Sequence, residues 1–309
     1  MSRCLVPVTI KNPHYGTKPN QSPFLSVPCG KCANCIANRR SVWCWRLQQE
    51  KRDSTTAYFV TLTYSDENVP VDYDTGEICL RKSDLQKWLK RVRKWYPKKD
   101  GFNIRYFAVG EYGDNTLRPH YHVLLFNLPL DLLHAAPFIR DSWGLGHTLI
   151  DVISDGRIAY CTKYMLKYMI TEEEYDKELD THRPFMVCSR KPLIGYRYIS
   201  KYRQWHLSKP SRTTALTTFG THVRLPDSFV KHIFYGHDSE KQLFTSFRKK
   251  FADASAELQS ERCQYLLRQE SLGIRVDWDD EFPDPVRTTS RLDEQMRKRI
   301  LQNKSKREL

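Results

Sequence analysis

His120 and His122 stand two residues apart at the head of an apolar run, Val123-Leu124-Leu125-Phe126. Side chains alternate along a β-strand, so both imidazoles leave one face while Tyr121 leaves the other and reads as core packing. Two neutral imidazoles side by side are half of a metal site. Upstream, Arg105, Phe107, Val109 and Glu111 share one face of a second strand, expected over Ile104–Tyr112. Antiparallel pairing of the two strands through the loop 113–119 brings Glu111 near the imidazoles. Two histidines and one carboxylate leave coordination positions open, where an oxygen-loving divalent cation can grip a phosphate.

Downstream, Ile158 to Met169 reads as a helix. At about 100° per residue, Tyr160, Lys163, Tyr164 and Lys167 fall within one quadrant, with Tyr168 at its boundary. Ile158, Cys161, Met165, Leu166 and Met169 occupy the opposite, apolar side. A tyrosine hydroxyl with a pKa of about 10 is a poor nucleophile at neutral pH. A neighbouring lysine cation favours its phenolate, and a metal at the histidines polarises and orients a phosphodiester. The product is a covalent phosphotyrosine. Two tyrosines one helical turn apart let the second attack a new junction while the first still holds a 5′ end.

These residues need a frame. Ala57 to Tyr64 is rich in β-branched and aromatic residues and reads as a buried strand. Ser83 has the character of an N-cap, and the helix after it buries Leu85, Trp88, Leu89 and Val92. Asp131 to Trp143 reads as a short helix broken near Pro137. The first 28 residues, with five prolines, read as irregular. Residues 238–270 read as a long amphipathic helix, followed by an acidic stretch over 277–281 and a basic tail. Strands and helices mix without strict alternation, which predicts an α+β fold with a central, mainly antiparallel sheet.

Cys29, Cys32 and Cys35 stand at C-x2-C-x2-C spacing, which suits a soft-metal site, usually zinc. Cys4, Cys44 and His14 are the candidates for a fourth ligand, with Cys4 taken first. Nine cysteines, an odd number along a chain of 309 residues, argue against a disulfide framework. The formal net charge of +14 favours a polyanionic partner, nucleic acid before others. Basic residues interleave with aromatics, as suits phosphate contact with base stacking. Arg39, Arg40, Lys87, Arg91, Lys94, Arg118 and Lys167 are the candidate DNA contacts. No apolar run approaches the length of a membrane span, and the first residues lack the apolar core of a signal peptide, so the expected location is cytoplasmic.

Three motifs in order carry a family resemblance. They are Phe59-Val60-Thr61-Leu62-Thr63-Tyr64, then Gly110-Glu111-Tyr112-Gly113 with Arg118-Pro119-His120-Tyr121-His122, then Tyr160-Cys161-Thr162-Lys163-Tyr164. Ser189 to Gly195 resembles a further family segment. The chain resembles the HUH-type rolling-circle replication initiators, most closely those of small single-stranded DNA phages of the gokushovirus kind. Tyrosines that follow the histidine motif are the initiator order, whereas conjugative relaxases place them before it.

The resemblance covers about residues 29–200. It implies a five-stranded antiparallel sheet flanked by helices. It also implies Glu111, His120 and His122 as metal ligands for Mg²⁺ or Mn²⁺, with Tyr160 and Tyr164 as nucleophiles. The activity implied is nicking of single-stranded DNA at an origin, leaving a 5′-phosphotyrosine and a free 3′-hydroxyl, and later resealing. On this reading residues 1–50 form a cysteine-rich segment and helix, 51–205 an HUH endonuclease core, and 206–309 a mainly helical C-terminal region with a basic tail. No G-x-x-x-x-G-K-[ST] loop is present in the sequence, so a host helicase and polymerase are the expected partners. The alternatives are a non-enzymatic, zinc-stabilised DNA-binding protein, which leaves the histidines and tyrosines as coincidence, and an HUH transposase, which usually carries one tyrosine.

Overall fold

The computed structural model describes residues 4–11, 24–97, 103–113, 116–170, 183–209, 212–218, 220–235, 239, 241–246, 264–265 and 267–275, with the side chains of Leu25 and 164–170 outside that description. His14, the acidic stretch 277–281, the basic tail and most of the helix expected over 238–270 lie outside the described residues.

Two compact units divide the chain. One comprises residues 40–206 and 214–233, the other 1–39, 207–213 and 234–309. The first is built on five strands, β3 (Ala57–Thr63), β4 (Arg105–Tyr112), β5 (Pro119–Phe126), β6 (Thr148–Val152) and β7 (Phe185–Cys188). Their order is β6-β3-β5-β4-β7, and every neighbouring pair is antiparallel. The expected α+β fold with a five-stranded antiparallel sheet and flanking helices is therefore present.

The two faces of the sheet do different work. Tyr58, Val60, Leu62, Tyr121, Val123 and Leu125 pack against α2 (Lys82–Trp95) and α3 (Leu132–Trp143). Helix α2 supplies Leu85, Trp88, Leu89 and Val92, the i, i+3, i+4, i+7 stripe that its sequence announces. Residues of opposite parity, among them Phe59, Thr61, Phe107, Glu111, His120 and His122, meet α1 (Ala33–Arg52) and α4 (Asp155–Ile170) instead. Trp43 of α1 lies 5.3 Å from Phe107 between ring centroids. Beneath α1, Trp45 is fully buried against Tyr198 of α5 (Arg197–Leu207) and Phe229 of α6 (Asp227–Phe234).

Several local expectations change. Ser83 is not the cap of α2, which starts at Lys82 with Arg81 in the cap position and no side-chain cap bond. A tertiary contact holds that entry: the Tyr121 hydroxyl accepts from Arg81 N at 3.2 Å and donates to Arg81 O at 2.9 Å. Helix α3 runs through Pro137. Proline removes one backbone bond there, and the burial of Ala135, Ile139 and Trp143 on both sides of it outweighs that loss. Its ends are regular, with Asp131 accepting from His134 N at 2.9 Å and Gly144 left-handed at φ 63°.

The first 28 residues are not all irregular. β1 (Val8–Lys11) pairs antiparallel with β2 (Phe24–Val27). Pro7 and Pro28 stand just outside these strands, where they cost no ladder hydrogen bond. Past residue 205, where a mainly helical region was expected, β8 (Thr214–Leu216) and β9 (His222–Arg224) form a hairpin.

Candidate metal and nucleophile site

The register of β4 and β5 sets Glu111 directly opposite His120 and Val109 opposite His122. Facing residues in adjacent strands project to the same side, so the carboxylate and both imidazoles converge. Glu111 Oε1 lies 3.2 Å from His120 Nε2 and 3.0 Å from His122 Nε2. One ligand atom from each of the three residues lies within 4.8 Å of the others. Glu111 is 3% exposed and His122 6%, so water contributes little to satisfying them.

Hydrogen bonds behind the rings orient them. A backbone carbonyl only accepts, so the contact of His120 Nδ1 with Arg118 O at 3.2 Å places the ring proton on Nδ1. His122 Nδ1 is held by Thr61 Oγ1 at 3.1 Å, and Thr61 faces His122 across β3 and β5. In these tautomers two nitrogen lone pairs and a carboxylate point at one another. Glu111 Oε2 is buried with no hydrogen-bond partner. Converging acceptors with an orphaned oxygen beside them fit a divalent cation, and these three residues would hold it. Burial lowers the His122 pKa below the ordinary histidine value, His120 nearby adds to that, and Glu111 opposes it.

Helix α4 brings the phenol. The Tyr160 hydroxyl lies 3.5 Å from His122 Nε2, and the side chain remains 40% exposed. Arg40 of α1 donates to Ala159 O at 3.0 Å, tying the residue before Tyr160 to a neighbouring helix. Cys44 and Thr162 make a second tie at 3.1 Å. Phe59 stacks on His122 with centroids 5.4 Å apart, and the Arg157 guanidinium stands 5.5 Å from the Phe59 ring. Lys163 is exposed on α4. Tyr164 and Lys167 belong to α4 by backbone, while their side chains lie outside the described residues. Tyr121 is fully buried on the other face, its hydroxyl 2.7 Å from that of Tyr64, which leaves it unsuited to attack.

Thr61, Phe59 and Arg40 carry no signal as parts of this centre in the sequence. Only the pairing of β3 with β5, and the packing of α1 on α4, bring them to the histidines and the tyrosine.

The other unit holds a second cluster. Pairing of β1 with β2 brings Cys4 to Cys29, Cys32 and Cys35, with one sulfur from each within 4.8 Å of the others. Cys4 Sγ is 3.5 Å from Cys29 Sγ and 3.8 Å from Cys32 Sγ. The backbone N–H groups of Cys29 and Cys32 donate to Cys4 and Cys29 sulfurs at 3.3 and 3.2 Å. Burial raises the Cys32 thiol, yet hydrogen bonds from Leu5 and Cys35 backbone groups and from neighbouring thiols bring it down to about 6. Burial, together with the charge of Cys32, pushes Cys35 up to about 12. Four thiols in one place suit tetrahedral zinc.

The candidate DNA contacts separate. Lys87, Arg91 and Lys94 ride on α2, behind the sheet as seen from the histidines. Arg91 is engaged there, donating to Ser142 O at 2.7 Å and Trp143 O at 3.1 Å at the end of α3. Arg118 donates to Tyr64 O at 2.8 Å and pairs with Asp66. Arg39 is exposed.

Motif order, strand register and the histidine–tyrosine contact all lie between β3 and α4. Residues 57–169 match a family model described as Replication-associated protein, of the ORF2 type. Replication-associated proteins of phages are also its curated relatives. The chain is 39% identical over 107 residues to Replication-associated protein ORF2 of Spiroplasma virus 4, covering 34% of this chain and 33% of that protein. To Replication-associated protein VP4 of Bdellovibrio phage phiMH2K it is 28% identical over 198 residues, 59% and 60% of the two chains. Replication-associated protein ORF4 of Chlamydia phage 1 is 23% identical over 199 residues, 59% and 48%. The matches thus span from a third to three fifths of these relatives' lengths. No solved structure matches the chain. Among the described residues, no helix is long and apolar enough to cross a membrane.

Proposed function

We propose that this chain is an HUH-type nickase and strand transferase that cuts single-stranded DNA at an origin to begin rolling-circle replication, and later reseals it. The observation that carries the reading is the Tyr160 hydroxyl 3.5 Å from His122 Nε2, beside a carboxylate that reaches both histidines.

Glu111, His120 and His122 would hold Mg²⁺ or Mn²⁺, which when bound orients the scissile phosphodiester and stabilises its developing charge. Tyr160 Oη forms the new bond to phosphorus, and the bond from phosphorus to the 3′ oxygen breaks. The phenol loses its proton and the departing 3′ oxygen gains one, so phenol and phosphodiester become 5′-phosphotyrosine and 3′-hydroxyl. Lys163, a cation on the same helix three residues on, favours the ionised phenol. Tyr164 lies one turn further along α4 and serves a second transfer while the first phosphotyrosine persists. Attack by a 3′-hydroxyl on a phosphotyrosine reverses the chemistry and reseals the strand. Arg39, Arg40, Arg118 and Lys167 are assigned to DNA, and Cys4, Cys29, Cys32 and Cys35 to structural zinc. A host helicase and polymerase complete the replication machinery.

Incubating the protein with Mg²⁺ or Mn²⁺ and single-stranded origin DNA tests this. A covalent protein–DNA adduct is expected, abolished in a Tyr160→Phe/Tyr164→Phe double variant. An adduct that persists in that variant overturns the reading.

A further inference from the structure

Ser189 to Gly195 resembles a family segment, yet the histidine centre makes no use of it. A cavity of about 570 Å³ opens where this segment meets α2 at the β7 edge of the sheet. That volume is in the range of small-ligand sites, roughly 300–1,000 Å³. Lys82, Arg93, Arg105, Tyr106, Arg190 and Lys191 line it, and none of the described residues around it is a carboxylate. Arg105 already has its charge met by Glu50, which leaves four cations facing an empty anion position.

The cavity is held in shape. Tyr106 N donates to Ser189 Oγ at 3.1 Å and Ser189 N donates to Tyr106 O at 2.9 Å, so the chain entering Arg190 is pinned to β4. Arg93 donates to Ile104 O at 3.2 Å and stands 5.2 Å from the Tyr106 ring centroid, while its Nε is buried without a partner. Lys82, Arg190 and Lys191 are exposed around this fixed pair. Guanidinium forks and ammonium groups around one concavity recognise phosphate. Arg105 and Glu111 are six positions apart on β4, a span of about 20 Å. Tyr106 also points to the α2 side, away from the histidines. A phosphate bound here is therefore a different one from that handled at His120 and His122.

We propose that this cavity is a second phosphate site that takes a nucleotide phosphate remote from the cleavage centre. The phosphate belongs either to a DNA strand carried round the β7 edge or to a free mononucleotide. The inference rests on the DNA-processing reading for its ligand class, but its test does not require the chain to form an adduct.

The experiment titrates the full chain and an Arg190→Ala/Lys191→Ala variant with a fluorescein-labelled 30-nucleotide single strand across a salt series, and separately with deoxyadenosine monophosphate by calorimetry. Both side chains are exposed, and melting curves of the two proteins confirm that the variant folds. If the site grips DNA, the variant binds the oligonucleotide about tenfold more weakly and loses roughly one unit of salt slope per phosphate contact. If the site serves a free nucleotide, oligonucleotide binding is unchanged and mononucleotide binding disappears in the variant. Equal binding of both ligands by both proteins, or no mononucleotide binding together with unchanged oligonucleotide binding, overturns the proposal. A chain that forms no adduct but shows either variant effect retains this site while losing the nickase reading.

Discussion

Thr61 Oγ1 lies 3.1 Å from His122 Nδ1, and the two residues stand directly opposite each other in the β3–β5 register. This hydroxyl fixes the imidazole so that Nε2 faces Glu111 and the Tyr160 hydroxyl. Partners of this kind typically contribute about 10–100-fold to metal affinity. Thr61→Val keeps the strand shape and removes the hydroxyl. Mn²⁺ titration should show weaker binding by about that factor, with melting temperature little changed. Unchanged Mn²⁺ affinity would mean that Thr61 does not orient the ring.

Burial holds the His122 pKa below the ordinary value of 6.5, so the folded chain resists the proton that the unfolded chain accepts. Stability without metal should therefore fall as pH drops below about 6.5, and should not fall between pH 7 and 8 on this account. A cation needs the neutral rings, so added Mn²⁺ should raise the melting temperature more at pH 7.5 than at pH 5.5. Equal stabilisation at the two pH values counts against histidine ligation.

Cys4, Cys29, Cys32 and Cys35 share one cluster, while Cys44 bonds Thr162 elsewhere. Purified protein should carry one zinc per chain at this cluster. Serine at Cys4 or Cys32 should lose the metal, and Cys44→Ser should keep it. Zinc retained by the Cys4 variant would remove Cys4 from the ligand set.

Glu50 and Arg105 form a buried pair, and Glu50 Oε2 also accepts from Gly195 N at 2.6 Å. The carboxylate thereby joins α1, β4 and the segment after β7. Glu50→Ala leaves the Arg105 cation buried and alone, which typically costs about 3–5 kcal/mol. Denaturant unfolding should show a loss of this size, whereas a change below about 1 kcal/mol is the range of exposed pairs and would contradict the structural role.

How much of this was legible follows from sequence distance. Glu111 and His120 are nine residues apart, so one hairpin with alternating side chains is enough to pair them. The apolar stripe of α2 and the tyrosine face of α4 are likewise local patterns. Thr61 meets His122 across 61 residues, and Arg40 meets Ala159 across 119, and nothing local encodes either contact. Charge pattern identified the basic side of α2 but not the face of the sheet on which it lands. Strand β7, four residues long, and β6, five, are too short to show a period, yet they complete both edges of the sheet. Cys4 remained one of three candidates because only the β1–β2 pairing carries it back to Cys29.

The most direct measurement is the chemical address of the bond to DNA. Protein incubated with Mn²⁺ and origin single strand would be digested, and the peptide bearing a 5′-linked nucleotide identified by mass spectrometry. The account predicts that nucleotide on Tyr160 or Tyr164 of α4. A linkage at Tyr121, at any residue outside α4, or no covalent peptide at all would contradict it.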